Sequence, residues 1–496
     1  MSTGMPLSFA DYLRHDAIGL AGLVRDGQVG PHALLDLALA RLQEADPAVH
    51  AVTQVLADEA RAQIDAGLPP GPLSGVPFLL KDLFVDMRGT VGSNGSVFLR
   101  DRVASQDSIV VERYRRAGLL LFGKTHSSEF GGSATSESTL HGATRNPWDT
   151  RYSAGGSSGG AAAAIASGIV PAASGSDAVG SIRTPAGYCG LFGLKPTRGR
   201  VPLGPARFDG AGGIAMLHAL TRSVRDSAAL LDAVAGGEPG APYASPVQAR
   251  PFLLEAGVEP PPLRIAVMRR ALSDDPTDAA CIAAVADAAG LCAALGHRVE
   301  EAAPPVDTAL YAWARDVLNN VATLAGVRGV QRAMGREALP GEFERATLHY
   351  AQEGRKVSAE DVMRAREALY QLHRQVAGFM TGYDIVLSPV TAIAHFPVGT
   401  LSADLPPART EDGQRRIGIY TALFNLTGQP AMSVPLYWTP EGLPLGVQFA
   451  ARFGDEATLF QLAGQLERAR PWMHRLPAAT LAAADAHGPT FARTPA

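Results

Sequence analysis

Residues 152–200 read YSAGGSSGGAAAAIASGIVPAASGSDAVGSIRTPAGYCGLFGLKPTRGR. The stretch is dense in Gly, Ser and Ala and almost free of charge. A flexible linker of such composition is polar throughout. Here an Ala/Ile-rich run, 160–167, has helical character and sits between two Ser/Gly loops, and residues 189–196 close the stretch as an apolar, tightly turned segment. Two small-residue loops flanking a short buried helix imply a close approach of backbone to something else. Ser157 lies in the first loop and Ser181 in the second.

Outward from this centre the chain alternates helix and strand. Residues 17–44 read as two helices, with Pro31 suited to a first turn and Leu35, Leu39 and Leu42 on one face. Residues 73–82, LSGVPFLLKD, form a continuous apolar run, the mark of a strand buried on both faces, and it delivers Lys81 at its end. Residues 108–117 read as a helix and 119–122 as a second buried strand. Downstream, 236–262 is a Gly/Pro-rich surface connection, 263–268 a strand and 277–295 an Ala-rich helix. Residues 309–380 are helical and more polar, with Ser358 and Asp361 spaced as a capping box. Strands at 385–387 and 447–450 and an amphipathic helix at 455–468 close the pattern. The expected architecture is a single large α/β domain over 1–496, with a mixed central sheet covered by helices. Its parts are N-terminal helices (1–70), a core (71–236), a variable helical lobe (263–380) and C-terminal core strands with a helix (381–475).

Composition bounds the function. The 496 residues are 46% apolar and 19% charged, enough for a large core, and the net charge of −4 gives no reason to expect a nucleic-acid partner. Cys189, Cys281 and Cys292 have neither metal spacing nor an even count, which fits a reducing, cytoplasmic setting. The opening segment does not read as a signal peptide. The longest apolar run, 161–173, is broken by Ser167, Gly168 and Pro171, so no membrane span is expected.

Two short motifs are decoys on this reading. Gly118 to Thr125 matches the phosphate-binding P-loop pattern, but its middle residues, Leu119 to Phe122, belong in a strand and no helix follows Lys124. Gly155-Gly-Ser157-Ser-Gly159 matches a nucleophile elbow, which requires a strand just before the serine; residues 149–154 are not expected to be one, and His349, His373 and His395 carry no marking motif. His126 and His141 have no carboxylate at ligand spacing, so no metal is expected. Lys81 reads equally well as a satisfied lysine at a strand end or as a desolvated base.

Taken together, GVPFLLKD (75–82), GKTHSSEF (123–130), GATRNPWD (142–149), GGSSGG (155–160), 175–200 and GLPLGVQ (442–448) resemble the amidase signature family, in family order and over nearly the whole chain. The resemblance implies the family's fold and a Ser–cis-Ser–Lys triad: Lys81 matches the lysine, Ser157 the bridging serine after a non-proline cis peptide, and Ser181 the nucleophile. It implies amide hydrolysis through an acyl-enzyme without metal or organic cofactor, a small-molecule amide substrate, no nucleic-acid or membrane partner, and leaves a homodimer open. The expected oxyanion donors are the amides of Ala178, Val179, Gly180 and Ser181. Asp177 and Arg183 are expected to brace that loop and Ser158 to support Ser157. The chemistry stands by itself: a serine needs a base, and a second hydroxyl, both donor and acceptor, can pass its proton to a neutral lysine.

One departure is Ala178-Val179-Gly180, where many members read Thr-Gly-Gly. A valine resists positive φ, so either φ is ordinary there or the oxyanion hole is reshaped. Ala-Ala-Gly at this place is the variant associated with the family's 6-aminohexanoate cyclic dimer hydrolases, and the GATRNPW and GLKPTRGR of this chain are similar to theirs. The pocket is expected from 202–215, 309–350 and 388–430. Its expected apolar lining is Leu203, Phe208, Ile214, Val390, Ile393 and Phe396, with Asn319 and Phe424 as further candidates and Arg207 and Asp209 satisfying each other. That favours apolar aliphatic or aryl amides. Carbamate or ester cleavage, a glutamyl-tRNA amidotransferase-like subunit, a nucleotide-binding protein using Lys124 and an inactive scaffold are the alternatives.

Overall fold

The computed structural model describes residues 7–207, 209–241 and 244–486. Phe208, an expected lining residue, lies outside them. Eleven strands form one sheet: β1 (Val52–Val55), β2 (Pro77–Lys81), β3 (Leu120–Thr125), β4 (Ala172–Asp177), β5 (Phe192–Lys195), β6 (Met216–Thr221), β7 (Arg264–Val267), β8 (Arg298–Glu301), β9 (Ile385–Pro389), β10 (Ala431–Trp438) and β11 (Pro444–Ala451). Their order is β1-β3-β2-β4-β6-β5-β10-β11-β9-β7-β8. The sheet is mixed: β3, β2 and β4 run parallel, as do β9, β7 and β8, and antiparallel pairs join the two sets.

The apolar runs end up where their patterns require. Every residue of β2 and β3 is buried, because helices cover both faces. The helix Gly159–Ala166 is buried all round, and only glycine fits at its start. A Cβ on Gly160 would lie 2.5 Å from the His126 nitrogen and 2.6 Å from the Ala51 oxygen. Helices Thr308–Met334, Arg345–Gly354 and Ala359–Phe379 form the lobe, and the Ser358/Asp361 capping box opens the last of them. Among the described residues no helix is long and apolar enough to cross a membrane.

Three expectations change. Residues 172–177 are a central strand rather than loop, and 192–195 are a strand rather than a tight turn. Asp149–Ser153 is a strand after all, but it pairs with Arg145–Asn146 in a separate two-stranded ribbon, so it does not lead from the main sheet into Ser157.

Candidate active site

Lys81 ends β2 and Asp177 ends the adjacent parallel strand β4, so both reach the carboxyl edge where open α/β sheets build their sites. Ser181 follows in the turn before the helix Arg183–Cys189. Lys81 is fully buried. Its Nζ lies 2.8 Å from both Ser157 Oγ and Ser158 Oγ and 2.9 Å from Ser176 Oγ, with the Ser176 carbonyl at 3.4 Å. Its own amide donates to Ser174 Oγ at 2.7 Å. Burial pulls the lysine pKa well below its ordinary value, and the opposing pull of Asp177 is smaller.

The turns that carry Ser157 and Ser181 are joined by a backbone hydrogen bond. Ser158 N–H donates to the Ser181 carbonyl (3.2 Å), while no hydrogen bond joins the Ser157 and Ser181 hydroxyls among the described residues. The Gly156–Ser157 peptide is cis. Gly156 admits no side chain, since its Cβ would sit 2.2 Å from the Thr135 carbonyl. Ser136 Oγ donates to the Ser157 carbonyl (3.0 Å) and accepts from Gly159 N–H (2.8 Å), fixing the start of the helix.

Asp177 and Arg183 are both without exposed side-chain surface and form a two-pronged ion pair, Nη2–Oδ1 2.8 Å and Nε–Oδ2 3.0 Å. Asp177 is held well below the usual carboxylate range against burial, by the Arg183 charge above all. Arg183 Nη1 also donates to the Thr421 carbonyl (2.9 Å) and Gln448 Oε1 (2.5 Å), and Asn425 Nδ2 donates to Asp177 Oδ1 (3.0 Å). Asp177 Oδ1 accepts the Gly180 amide at 2.8 Å, so that donor is already occupied. Among the described residues the Ala178, Val179 and Ser181 amides have no such acceptor. Val179 keeps an ordinary backbone and Gly180 takes φ +128°, where a Cβ would meet Thr421 Oγ1 at 2.5 Å. The valine is therefore accommodated because the positive φ of this turn falls on Gly180.

Ser181, Gly156 and the 178–180 turn open onto a cavity of about 600 Å³. Its lining combines Ala134, Val179, Ile214, Ile417 and several glycines with the charged or titratable side chains of Arg315, Asp316, His349, Glu353, Glu411 and Arg415. The expectation of a largely uncharged pocket is thus corrected: the helices Thr308–Met334, Arg345–Gly354 and Pro407–Gly418 bring charged side chains to its lining. Asn319 and Ile214 do line it. Phe424 and Phe396 are core residues, and Val390 faces a separate small crevice with Cys281. Arg207 and Asp209 do not pair; Arg207 lies over the Phe84 ring at 4.8 Å.

The decoys resolve physically. Lys124 sits inside β3 and faces Asp82 at 3.7 Å and the Val91 carbonyl. His395 contacts the Pro444 carbonyl. His126 is buried between Thr144 and Ser138, and burial takes its pKa down to about 3. The cysteines are all buried, and burial pushes the Cys189 thiol up. Sequence reasoning missed Ser176, Asn425, Gln448 and Gln414. Ser174 and Ser176 carry a strand signal, a period of two, that their small size hid.

The amidase family model matches residues 33–460. The chain belongs to the amidase family. The amidase is 36% identical over 487 residues to a 6-aminohexanoate-cyclic-dimer hydrolase of Paenarthrobacter ureafaciens, covering 94% of this chain and 97% of that one. It is also 36% identical to a putative amidase, AmiB2, of Mycobacterium bovis over 93% of this chain and 97% of the relative. The solved structure of a 6-aminohexanoate cyclic dimer hydrolase complexed with substrate superposes with a TM-score of 0.90 at 34% identity, covering 94% of this chain and 99% of that chain. A bacterial aryl acylamidase of the amidase signature family gives 0.86 at 26%, covering 97% and 99%. This protein is therefore an amidohydrolase of the amidase signature family, related to 6-aminohexanoate cyclic dimer hydrolase.

Proposed function

We propose that Ser181 is the nucleophile, Ser157 the bridging hydroxyl and Lys81 the base of an acyl-enzyme mechanism. The observation that carries this is the 2.8 Å contact between Lys81 Nζ and Ser157 Oγ inside a buried hydroxyl cage that opens to the cavity at Ser181. Proton accounting supports it. The Ser158 hydroxyl points its proton at the Ser176 carbonyl (3.3 Å), so it accepts from Lys81. A neutral amine has two N–H donors and one lone pair. With Ser158 and Ser176 taking the donors, the lone pair faces the Ser157 hydroxyl. Ser181 Oγ then bonds to the substrate carbonyl carbon as its proton passes through Ser157 to Lys81. The amides of Ala178, Val179 and Ser181 receive the oxyanion, and the departing amine takes the proton back through Ser157. Water cleaves the acyl-enzyme by the same relay.

The substrate we propose is a neutral amide with an apolar acyl side, of the aliphatic 6-aminohexanoate type or an aryl amide. The lining offers Ala134, Val179, Ile214 and Ile417 to an apolar group, and its arginines are occupied: Arg315 by Asp316 (2.7 Å), Arg415 by Asp275 and by Asp412 (2.5 Å). A free α-carboxylate would find no unpaired cation there. A fluorophosphonate should label Ser181, and Ser181→Ala, Ser157→Ala and Lys81→Ala should each lose several orders of magnitude in kcat. Label on Ser157 would reverse the assignment. A medium-chain acyl anilide should exceed glutamine in kcat/KM by about tenfold or more, a difference of ~1.4 kcal/mol. The opposite order would favour an amidotransferase-like subunit.

A further inference from the structure

Gln414 stands on the charged helix Pro407–Gly418 yet engages none of its ions. Its Oε1 accepts the Ala134 amide (2.7 Å), and its Nε2 donates to Ser133 Oγ (2.7 Å) and to the Leu401 carbonyl (2.9 Å). Both donor hydrogens and the acceptor are thus used, all on two loops. Ser133 Oγ in turn meets Thr135 Oγ1 at 3.1 Å. The segment 133–136 is the surface on which the Gly156–Ser157 peptide is laid. The Thr135 backbone fills the place of a Gly156 side chain, and Ser136 ties both Ser157 and Gly159. A continuous chain of direct contacts therefore runs from the Gln414 carboxamide to Ser157.

We propose that Gln414 is a positioning residue for the amide-cleaving reaction: by fixing 133–136 it sets the place of Ser157 Oγ against Lys81 Nζ. The inference rests on Ser157 being the bridging hydroxyl. No other side chain of this size serves the same three groups. A glutamate could accept from Ala134 and Ser133 but has no donor for the Leu401 carbonyl, and an asparagine is one methylene short. Displacement of a catalytic group by about 1 Å costs on the order of a hundredfold in rate, so a shift of a few tenths here is expected to be felt in the chemical step rather than in binding.

The test uses the full-length enzyme with Gln414→Leu and Gln414→Glu, an acyl anilide and a fluorophosphonate. For Gln414→Leu we expect kcat to fall by about ten- to a hundredfold, KM to stay within about threefold, and the fluorophosphonate rate to fall with kcat. Gln414→Glu should fall between this and wild type. In a Ser157→Ala background Gln414→Leu should change the residual fluorophosphonate rate by less than about twofold, because both act through one group. A melting temperature that drops while kcat and labelling stay within about twofold of wild type would overturn the inference, leaving Gln414 a purely structural tie. So would a rise in KM alone, which would make it a substrate contact. Should Gln414→Leu fail to fold, the same readouts on Gln414→Glu decide: wild-type kcat and labelling there would overturn it equally. Ser157→Ala measured alongside separates the two readings. Full activity in Ser157→Ala defeats the bridging role itself, whereas loss in Ser157→Ala with normal Gln414 variants defeats only the present inference.

Discussion

Lys81 Nζ lies within hydrogen-bond distance of three hydroxyls and has no exposed surface, and its burial favours the neutral form. The sign of the pH dependence follows. Below its depressed pKa Lys81 holds a proton and cannot accept one from Ser157; above it the lone pair is free. Initial rates should therefore rise with pH through that lowered pKa and then level, and Lys81→Arg, which cannot deprotonate, should stay inactive at every pH. A wild-type rate falling steadily as pH rises, in enzyme that circular dichroism shows folded, would contradict a lysine base. The position of Lys81 at a strand end was legible, because an apolar run followed by a charge marks where a buried strand surfaces. Its state was not. The hydroxyls that surround it come from 76, 77 and 95 residues away, and no local pattern brings them together. The charges that line the cavity escaped for a related reason: Arg315, His349 and Glu411 sit on three helices whose polar faces look solvated in sequence.

Secondary elements were legible in proportion to how far their residues declare them. The runs that became β2, β3, β7 and β9 are rich in Leu, Ile and Val and were read as strands. β4, AASGSD, has no β-branched or aromatic residue, and it is a strand because β2 and β6 clamp it on both sides. Its small side chains are what leave room for the Lys81 cage. The same demand for space explains the glycines of the turn and gives a contrast to test. Gly156→Ala places a methyl into the Thr135 backbone, so the 156–159 turn must move; activity should fall by about a hundredfold or more even where the protein folds. Gly290 lies mid-helix in Ala279–Ala294 with open space around its Cβ position, and Gly290→Ala should leave kcat unchanged and raise stability by up to about 1 kcal/mol in urea unfolding. Equal activity in both variants would show that close packing at Gly156 is not what holds the site.

Across the whole molecule, the lobe meets the core along a seam that closes the cavity, and that seam holds buried acids. Glu344 precedes the helix Arg345–Gly354 and accepts the Thr139 amide (2.8 Å) through Oε1; Oε2 has no hydrogen-bond partner. Glu129 lies beside it, its Oε2 accepting the Glu344 amide (2.9 Å) and the Thr347 hydroxyl (2.6 Å). Burial first, and the Glu129 charge second, push Glu344 up to about 8. An unfolded glutamate titrates near 4.3. The folded state thus keeps a proton that the unfolded chain has lost, and stability drawn from it is full below the unfolded value and drains away as pH climbs to about 8. Between about pH 5 and pH 8 the slope from this single group is at most ~1.4 kcal/mol per pH unit, downward with rising pH. Glu344→Gln removes the titration and keeps the oxygen that accepts from Thr139. Urea unfolding at about pH 5.5 and about pH 8 should show wild type losing stability over that interval by more than the variant does, the difference being on the order of 1–3 kcal/mol. If the two proteins lose equal stability, Glu344 is ionised in the folded state, and the lobe is held to the core by contacts that do not titrate in this range.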